Sequence, residues 1–165
     1  MIVPDLTCIM RQQGAVCYPW TFWNRAAMFR LIYVSTAREL MDKDALLGIL
    51  AKAREKNARL GITGMLLYKD GNFLQLLEGE ESLVRDVYAT IARDTRHFDS
   101  MIMMEEAVSE RMFADWKMGF HDLSDPALQS LPGFAPFRHL NFDQRGAAPD
   151  VAICLDILKF FKDSR

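Results

Sequence analysis

Cysteine is scarce: the chain has three in 165 residues, at Cys8, Cys17 and Cys154. They have neither zinc-ligand spacing nor the density of a disulfide framework, so a reducing, cytoplasmic setting is the simpler expectation. Long apolar runs are missing too. Nothing approaches the roughly 20 uninterrupted apolar residues of a membrane helix, so no membrane partner is expected. Positive charge is not in excess, with 20 Lys and Arg against 22 Asp and Glu and a formal net charge of −2. That excludes a basic nucleic-acid footprint. His97, His121 and His139 lack ligand spacing, so no metal site is expected. No glycine-rich phosphate loop, nucleophile–base pair, internal repeat or low-complexity tract occurs. Glu105 and Glu106 adjoin on a strand and therefore point to opposite faces. These absences argue against an enzyme.

Half of the residues are hydrophobic, which suits one domain with appendages. Residues 1–27 hold Trp20, Trp23 and two cysteines without clear period, interrupted by Pro4, Gly14 and Pro19. No basic stretch precedes an apolar one, so they are not a signal peptide. They read as a poorly ordered extension, and Met28, followed at once by a strand, could be the functional start. The expected organisation is this extension, a domain over 28–123 and a C-terminal helical segment over 124–165.

The domain is built around Asn57–Gly79. Asp70-Gly71 lies between two apolar runs and favours a type I′ turn, since both central residues need positive φ. Tyr68 then faces Phe73, Leu66 faces Gln75 and Gly64 faces Leu77. Phe73, Gln75 and Leu77 share one face, Leu74 and Leu76 the other, as in a sheet covered on both sides. Phe29–Thr36 is a strand with Phe29, Leu31, Tyr33 and Ser35 on one face. Asp42 caps a helix whose stripe is Leu46, Leu50, Ala53 and Asn57, with Met41 and Leu46 as a hydrophobic staple. A second helix spans Glu80–Arg93, opened by Ser82 or Glu81, with Leu83, Val87 and Ile91 as its stripe. Ser100–Val108 is a fourth strand. Alternation in Trp116–His121 predicts a fifth, with Trp116, Met118 and Phe120 on one face. Leu123–Leu131 could be a short helix, and Val151–Lys162 is amphipathic. The order β-α-β-β-α-β-β predicts an α+β, ferredoxin-like split βαβ sheet with two helices on one face and a C-terminal helical cap.

Tyr33, Asn57 and Gln75 are neutral polar side chains aimed into this apolar core. Each has an ordinary structural reading: a core tyrosine, a C-cap asparagine, an amide with backbone partners. Asp94, Arg96 and His97 could be a solvated helix end, and Trp116 and Met118 core packing. Together, the neutral set suits a planar ligand with donors and acceptors on its edge, held between helices and sheet.

Four stretches carry a family resemblance: L-I-Y-V-S with Tyr33, N-A-R-L-G-I-T-G-M-L-L-Y with Asn57, G-N-F-L-Q-L-L-E-G with Gln75, and D-W-K-M with Trp116 and Met118. With D-x-R-H at Asp94–His97, the chain resembles a BLUF domain, a flavin-using blue-light sensor, over roughly Met28–Leu123. The C-terminal segment resembles that of the short BLUF proteins ending in two helices.

The resemblance implies FAD bound non-covalently between the two helices. Asn57 would hold the polar edge of the ring, Gln75 would bridge ring and Tyr33, and Tyr33 would donate the electron and proton. Gln75 would then rotate or tautomerise, and Trp116 and Met118 would report the change, either of them lying beside Gln75 in the dark. Asp94, Arg96 and His97 would lie near the flavin side chain, and Thr90 stands where some members carry a basic residue. With no room after Leu123 for a cyclase or phosphodiesterase, output is expected through a surface, to a downstream signalling protein or a homo-oligomer. Two alternatives are a binding module without photochemistry and an acylphosphatase-like hydrolase using Arg30 and Asn57.

Overall fold

The computed structural model describes residues 28–122 and 149–164; the expectations for residues 1–27 and for a helix at 123–131 lie outside them. The elements are β1 (Met28–Ala37), α1 (Lys43–Leu60), β2 (Thr63–Lys69), β3 (Asn72–Glu80), α2 (Glu81–Ala92), β4 (His97–Val108), β5 (Gly119–Asp122) and α3 (Pro149–Asp163). The five strands lie in the order β4-β1-β3-β2-β5. All pairs are antiparallel except β2 with β5. This is the expected split βαβ sheet with one strand added at an edge.

The hairpin has the predicted register and turn. Asp70 and Gly71 adopt φ of 47° and 84°, and Tyr68, Leu66 and Gly64 face Phe73, Gln75 and Leu77. The Asp42 carboxylate caps α1 by accepting the Ala45 N–H at 2.8 Å. The helix ends at Gly61, left-handed at φ 65°, whose N–H reaches the Asn57 carbonyl. Glycine at the C-cap position does this without Cβ strain, so Asn57 is not the capping residue. The cap of α2 is Glu80 rather than Glu81 or Ser82. Its carboxylate accepts the N–H groups of both Ser82 and Leu83.

The sheet separates two apolar layers. Phe29, Leu31, Tyr33, Phe73 and Leu77 pack against Leu46 and Leu50 of α1 and Val84 and Val87 of α2. On the other face, Ile32, Met65, Leu67, Leu74 and Leu76 pack against Cys154, Leu158 and Phe161 of α3. The C-terminal helix therefore caps the face opposite α1 and α2.

Under α3 lies a buried ion pair. Arg30 and Glu78 are cross-strand partners, and Arg30 Nε reaches Glu78 Oε1 at 2.8 Å. The guanidinium also meets Glu106 at 2.9 Å and Cys154 Sγ at 3.5 Å. The Glu78 carboxylate accepts the N–H groups of Met112 and Phe113, each at 2.9 Å. Burial pushes the Cys154 thiol up to about 12, so it stays neutral and poorly nucleophilic. Arg30 thus sits across the sheet from Asn57, which removes the arginine–asparagine phosphate cradle of the hydrolase alternative.

The fifth strand departs from expectation. Its ladder with β2 begins at Gly119, and residues 117–118 form a bend. Trp116 and Met118 therefore do not share a face. Met118 enters the α1/α2 layer, whereas Trp116 stacks on Phe113 in the α3 layer, with ring centroids 5.2 Å apart.

Candidate functional site

Strand register brings the first pair together. Tyr33 of β1 and Gln75 of β3 lie directly opposite, both buried on the α1/α2 face. The Tyr33 hydroxyl donates to Gln75 Oε1. The other end of the amide, Nε2, donates to Met118 Sδ at 3.3 Å. A thioether accepts weakly and cannot donate, so this contact reads only one orientation of the amide.

Asn57 is buried on the sheet-facing stripe of α1 and donates through Nδ2 to the Lys117 carbonyl at 3.0 Å. Tyr33, Asn57, Gln75, Phe73 and His97 line a cavity of about 250 Å³ between α1, α2 and the sheet. Small-molecule sites start near 300 Å³, so the enclosed part takes a ring system and leaves a ligand's tail towards solvent.

Burial raises the Tyr33 pKa well above the phenol range, with smaller contributions from Tyr88 and Asp94. Tyr33 is therefore a neutral phenol at physiological pH. Its ring lies 5.1 Å, centroid to centroid, from that of Tyr88.

Asp94, Arg96 and His97 also line the cavity. Arg96 Nε donates to the Asp94 carboxylate at 2.9 Å, and hydrogen bonding to Arg96 chiefly lowers the Asp94 pKa to about 2. These two neutralise each other at the mouth. His97 Nδ1 is buried in the wall with no hydrogen-bond partner among the described residues. A buried polar atom without a partner costs about 1–3 kcal/mol. The orphaned nitrogen, the phenol–amide pair and the apolar walls fit a planar heteroaromatic ligand.

Of the residues singled out from sequence, the cavity thus gathers Tyr33, Asn57, Gln75, Asp94, Arg96 and His97. Met118 touches it through Gln75, and Trp116 does not reach it. Lys52 and Lys56 were missed. Their signal was available, since they flank Ala53 and Asn57 on the stripe that faces the sheet.

A family model described as sensors of blue-light using FAD matches residues 28–119. The chain belongs to the BLUF family. It is a flavin-using blue-light sensor. Photoactivated adenylate cyclase subunit beta of Euglena longa is 37% identical over 89 residues, covering 53% of this chain and 10% of that protein. The blue light- and temperature-regulated antirepressor BluF of Escherichia coli K12 is 31% identical over 121 residues, 70% of this chain and 30% of that one. Klebsiella pneumoniae BlrP1, solved with FMN and cyclic diGMP, superposes with a TM-score of 0.65 at 26% identity, covering 83% of this chain and 35% of that one. The chain spans about a tenth of the length of the cyclase subunits it matches. Among the described residues no helix is long and apolar enough to cross a membrane.

Proposed function

We propose that light is sensed through reversal of the Gln75 amide and that the flavin is FAD. The buried Tyr33–Gln75–Met118 chain along the cavity wall carries this reading. When bound, the flavin would supply blue-light absorption and a ring able to take up an electron and a proton. Tyr33 would supply both, its hydroxyl proton hydrogen-bonded to Gln75 Oε1 in the dark. Asn57 and Gln75 would hold the polar ring edge, and Asp94, Arg96 and His97 would face the flavin side chain. As the hydroxyl can donate or accept, a reversed Gln75 keeps Tyr33 bonded with opposite polarity and moves no net charge. Reversal also turns Oε1 toward the Met118 sulfur. Two acceptors then face each other, so Met118 must shift.

FAD is supported by charge at the cavity mouth. Lys52 and Lys56 lie one turn apart, and Arg96 is already matched by Asp94. Neighbours at that spacing are about 5–6 Å apart, which suits two adjoining phosphates. The α2 wall contributes Val87, Thr90 and Ile91, none of them charged.

Residues 28–123 act as sensor and residues 124–165 as output segment, with residues 1–27 dispensable for light sensing. On α3, Ile153 and Phe160 are exposed seven residues apart, on one stripe. Output passes through this helix to a homo-oligomer or a downstream signalling protein in the cytoplasm.

Absorption spectra before and after blue light test the switch. A reversible red shift is expected, and a flavin-loaded chain with an unchanged spectrum would overturn it. Mass analysis of the released cofactor should find FAD; FMN alone would refute that assignment. Light-scattering mass should differ between dark and light, alone or with a partner, and identical masses throughout would sink the output route.

A further inference from the structure

Met118 precedes the first ladder position of β5, so sheet pairing does not hold it. Three donors hold its segment instead. The Gly64 N–H reaches the Trp116 carbonyl at 2.9 Å, Asn57 Nδ2 reaches that of Lys117 at 3.0 Å, and Arg54 Nε reaches that of Met118 at 3.0 Å. Three consecutive carbonyls are thus fixed from α1 and β2. Arg54 and Asn57 are three apart on α1 and so project from one side of the helix. At Gly64 a Cβ would lie 2.0 Å from the Leu76 carbonyl oxygen, so the backbone accepts no side chain there without moving.

We infer that Arg54 is a positioning residue for the light switch: by holding the Met118 carbonyl it keeps the thioether against the Gln75 amide and sets the balance between the two amide orientations. This rests on the amide-reversal reading above. Arg54 is not part of the cavity wall, whereas its neighbours Lys52, Ala53, Lys56 and Asn57 are. Its effect therefore falls on the switch rather than on flavin retention. The bond has a charged donor, which makes it stronger than a neutral one. Asn57, by contrast, both lines the cavity and holds Lys117, so its substitution cannot separate the two roles.

The test uses the full chain with Arg54→Met, which keeps the aliphatic stem and removes the donor, and Arg54→Lys, which restores a cation able to reach a carbonyl. Flavin affinity, the light-minus-dark shift, the dark-recovery rate and the infrared band of the Gln75 side-chain carbonyl are measured. Arg54→Met should retain flavin as the parent does, with the infrared band displaced and recovery changed about tenfold, equivalent to ~1.4 kcal/mol. Arg54→Lys should lie between the two. Recovery and infrared bands identical to the parent's in Arg54→Met would overturn the proposal, as would loss of flavin together with the shift. If Arg54→Met fails to fold, a parent-like Arg54→Lys supports the donor role, and an Arg54→Lys that loses flavin refutes it. A parent chain with no light-induced shift would instead sink the underlying reading, which separates the two failures.

Discussion

Replacing Tyr33 and Gln75 singly and together isolates the bond at the centre of the site. Their exposures are 3% and 4%, so water cannot replace a lost partner. Gln75→Leu removes the acceptor of the Tyr33 hydroxyl and the donor to Met118. Leaving a buried polar group unsatisfied costs about 1–3 kcal/mol. Tyr33→Phe keeps the ring against Tyr88 and orphans Gln75 Oε1 at a similar cost. The double variant orphans neither, and replacing both partners by apolar groups of similar shape can be nearly neutral. It should therefore cost less than the sum of the singles by about 1–2 kcal/mol, well above the ~0.5 kcal/mol scatter of independent sites. Chemical unfolding at fixed free flavin, corrected for each variant's measured flavin affinity, gives these energies. Absorption before and after illumination gives the second readout: all three variants should lack the parent's red shift. Additive costs within ~0.5 kcal/mol, or a red shift of normal amplitude in Gln75→Leu, would refute the reasoning.

Asn57→Ala should weaken flavin binding by up to about a hundredfold through loss of a buried amide at the ring edge; unchanged occupancy after dialysis would count against Asn57 as a ligand. Glu78→Gln leaves Arg30 without its buried counter-charge, with Glu106 as a partial substitute. It should cost about 3 kcal/mol, a fall in Tm of roughly 6–12 °C for a domain of this size; a melting curve within error of the parent's would contradict that. Asp94 has its pKa lowered to about 2 from 3.8, so its contribution to stability is present above pH 3.8 and lost as pH falls towards 2. Asp94→Asn should remove that part of the acid dependence, and its persistence in an acid titration of stability would show that another carboxylate is responsible.

Much of this was legible because period and turn chemistry agree. Asp70-Gly71 sets the hairpin register, and the register places Gln75 on the face that β1 shares through Tyr33. The stripe ending at Asn57 likewise puts its amide on the sheet side. The fifth strand was misread because alternation is a local signal, whereas the bend at 117–118 is held by non-local donors on α1 and β2. Arg30 and Glu78 look like solvated charges when read alone. Only the β1–β3 register places them opposite one another, and only the packing of α3 removes water from both. Arg54, like Lys52 and Lys56, flanks the stripe, but its partner is a backbone carbonyl of the segment before β5, which periodicity on α1 does not reveal.

One strand serves both faces. On β3, Gln75 points to the cavity, and Glu78, an odd number of residues further on, points to α3. The segment between β4 and β5 is tied at its start by Glu78, which accepts from Met112 and Phe113. Arg111 adds a hydrogen bond to Thr63 Oγ1 at 2.8 Å. A displaced Met118 therefore has little freedom to move the early part of that segment. The backbone of Trp116 and Lys117 is held from β2 and α1, so the large Trp116 side chain is the part of this stretch that can shift against its neighbours. Trp116 stacks on the anchored Phe113 and packs in the layer that holds Cys154, Leu158 and Phe161 of α3. Trp116 thus contacts the α3 layer without entering the cavity. A route from Met118 to α3 would run through Trp116 sliding against Phe113; Trp116→Ala should then leave the light-induced red shift in place while abolishing any light-dependent change in mass, and an unchanged mass response would refute that route.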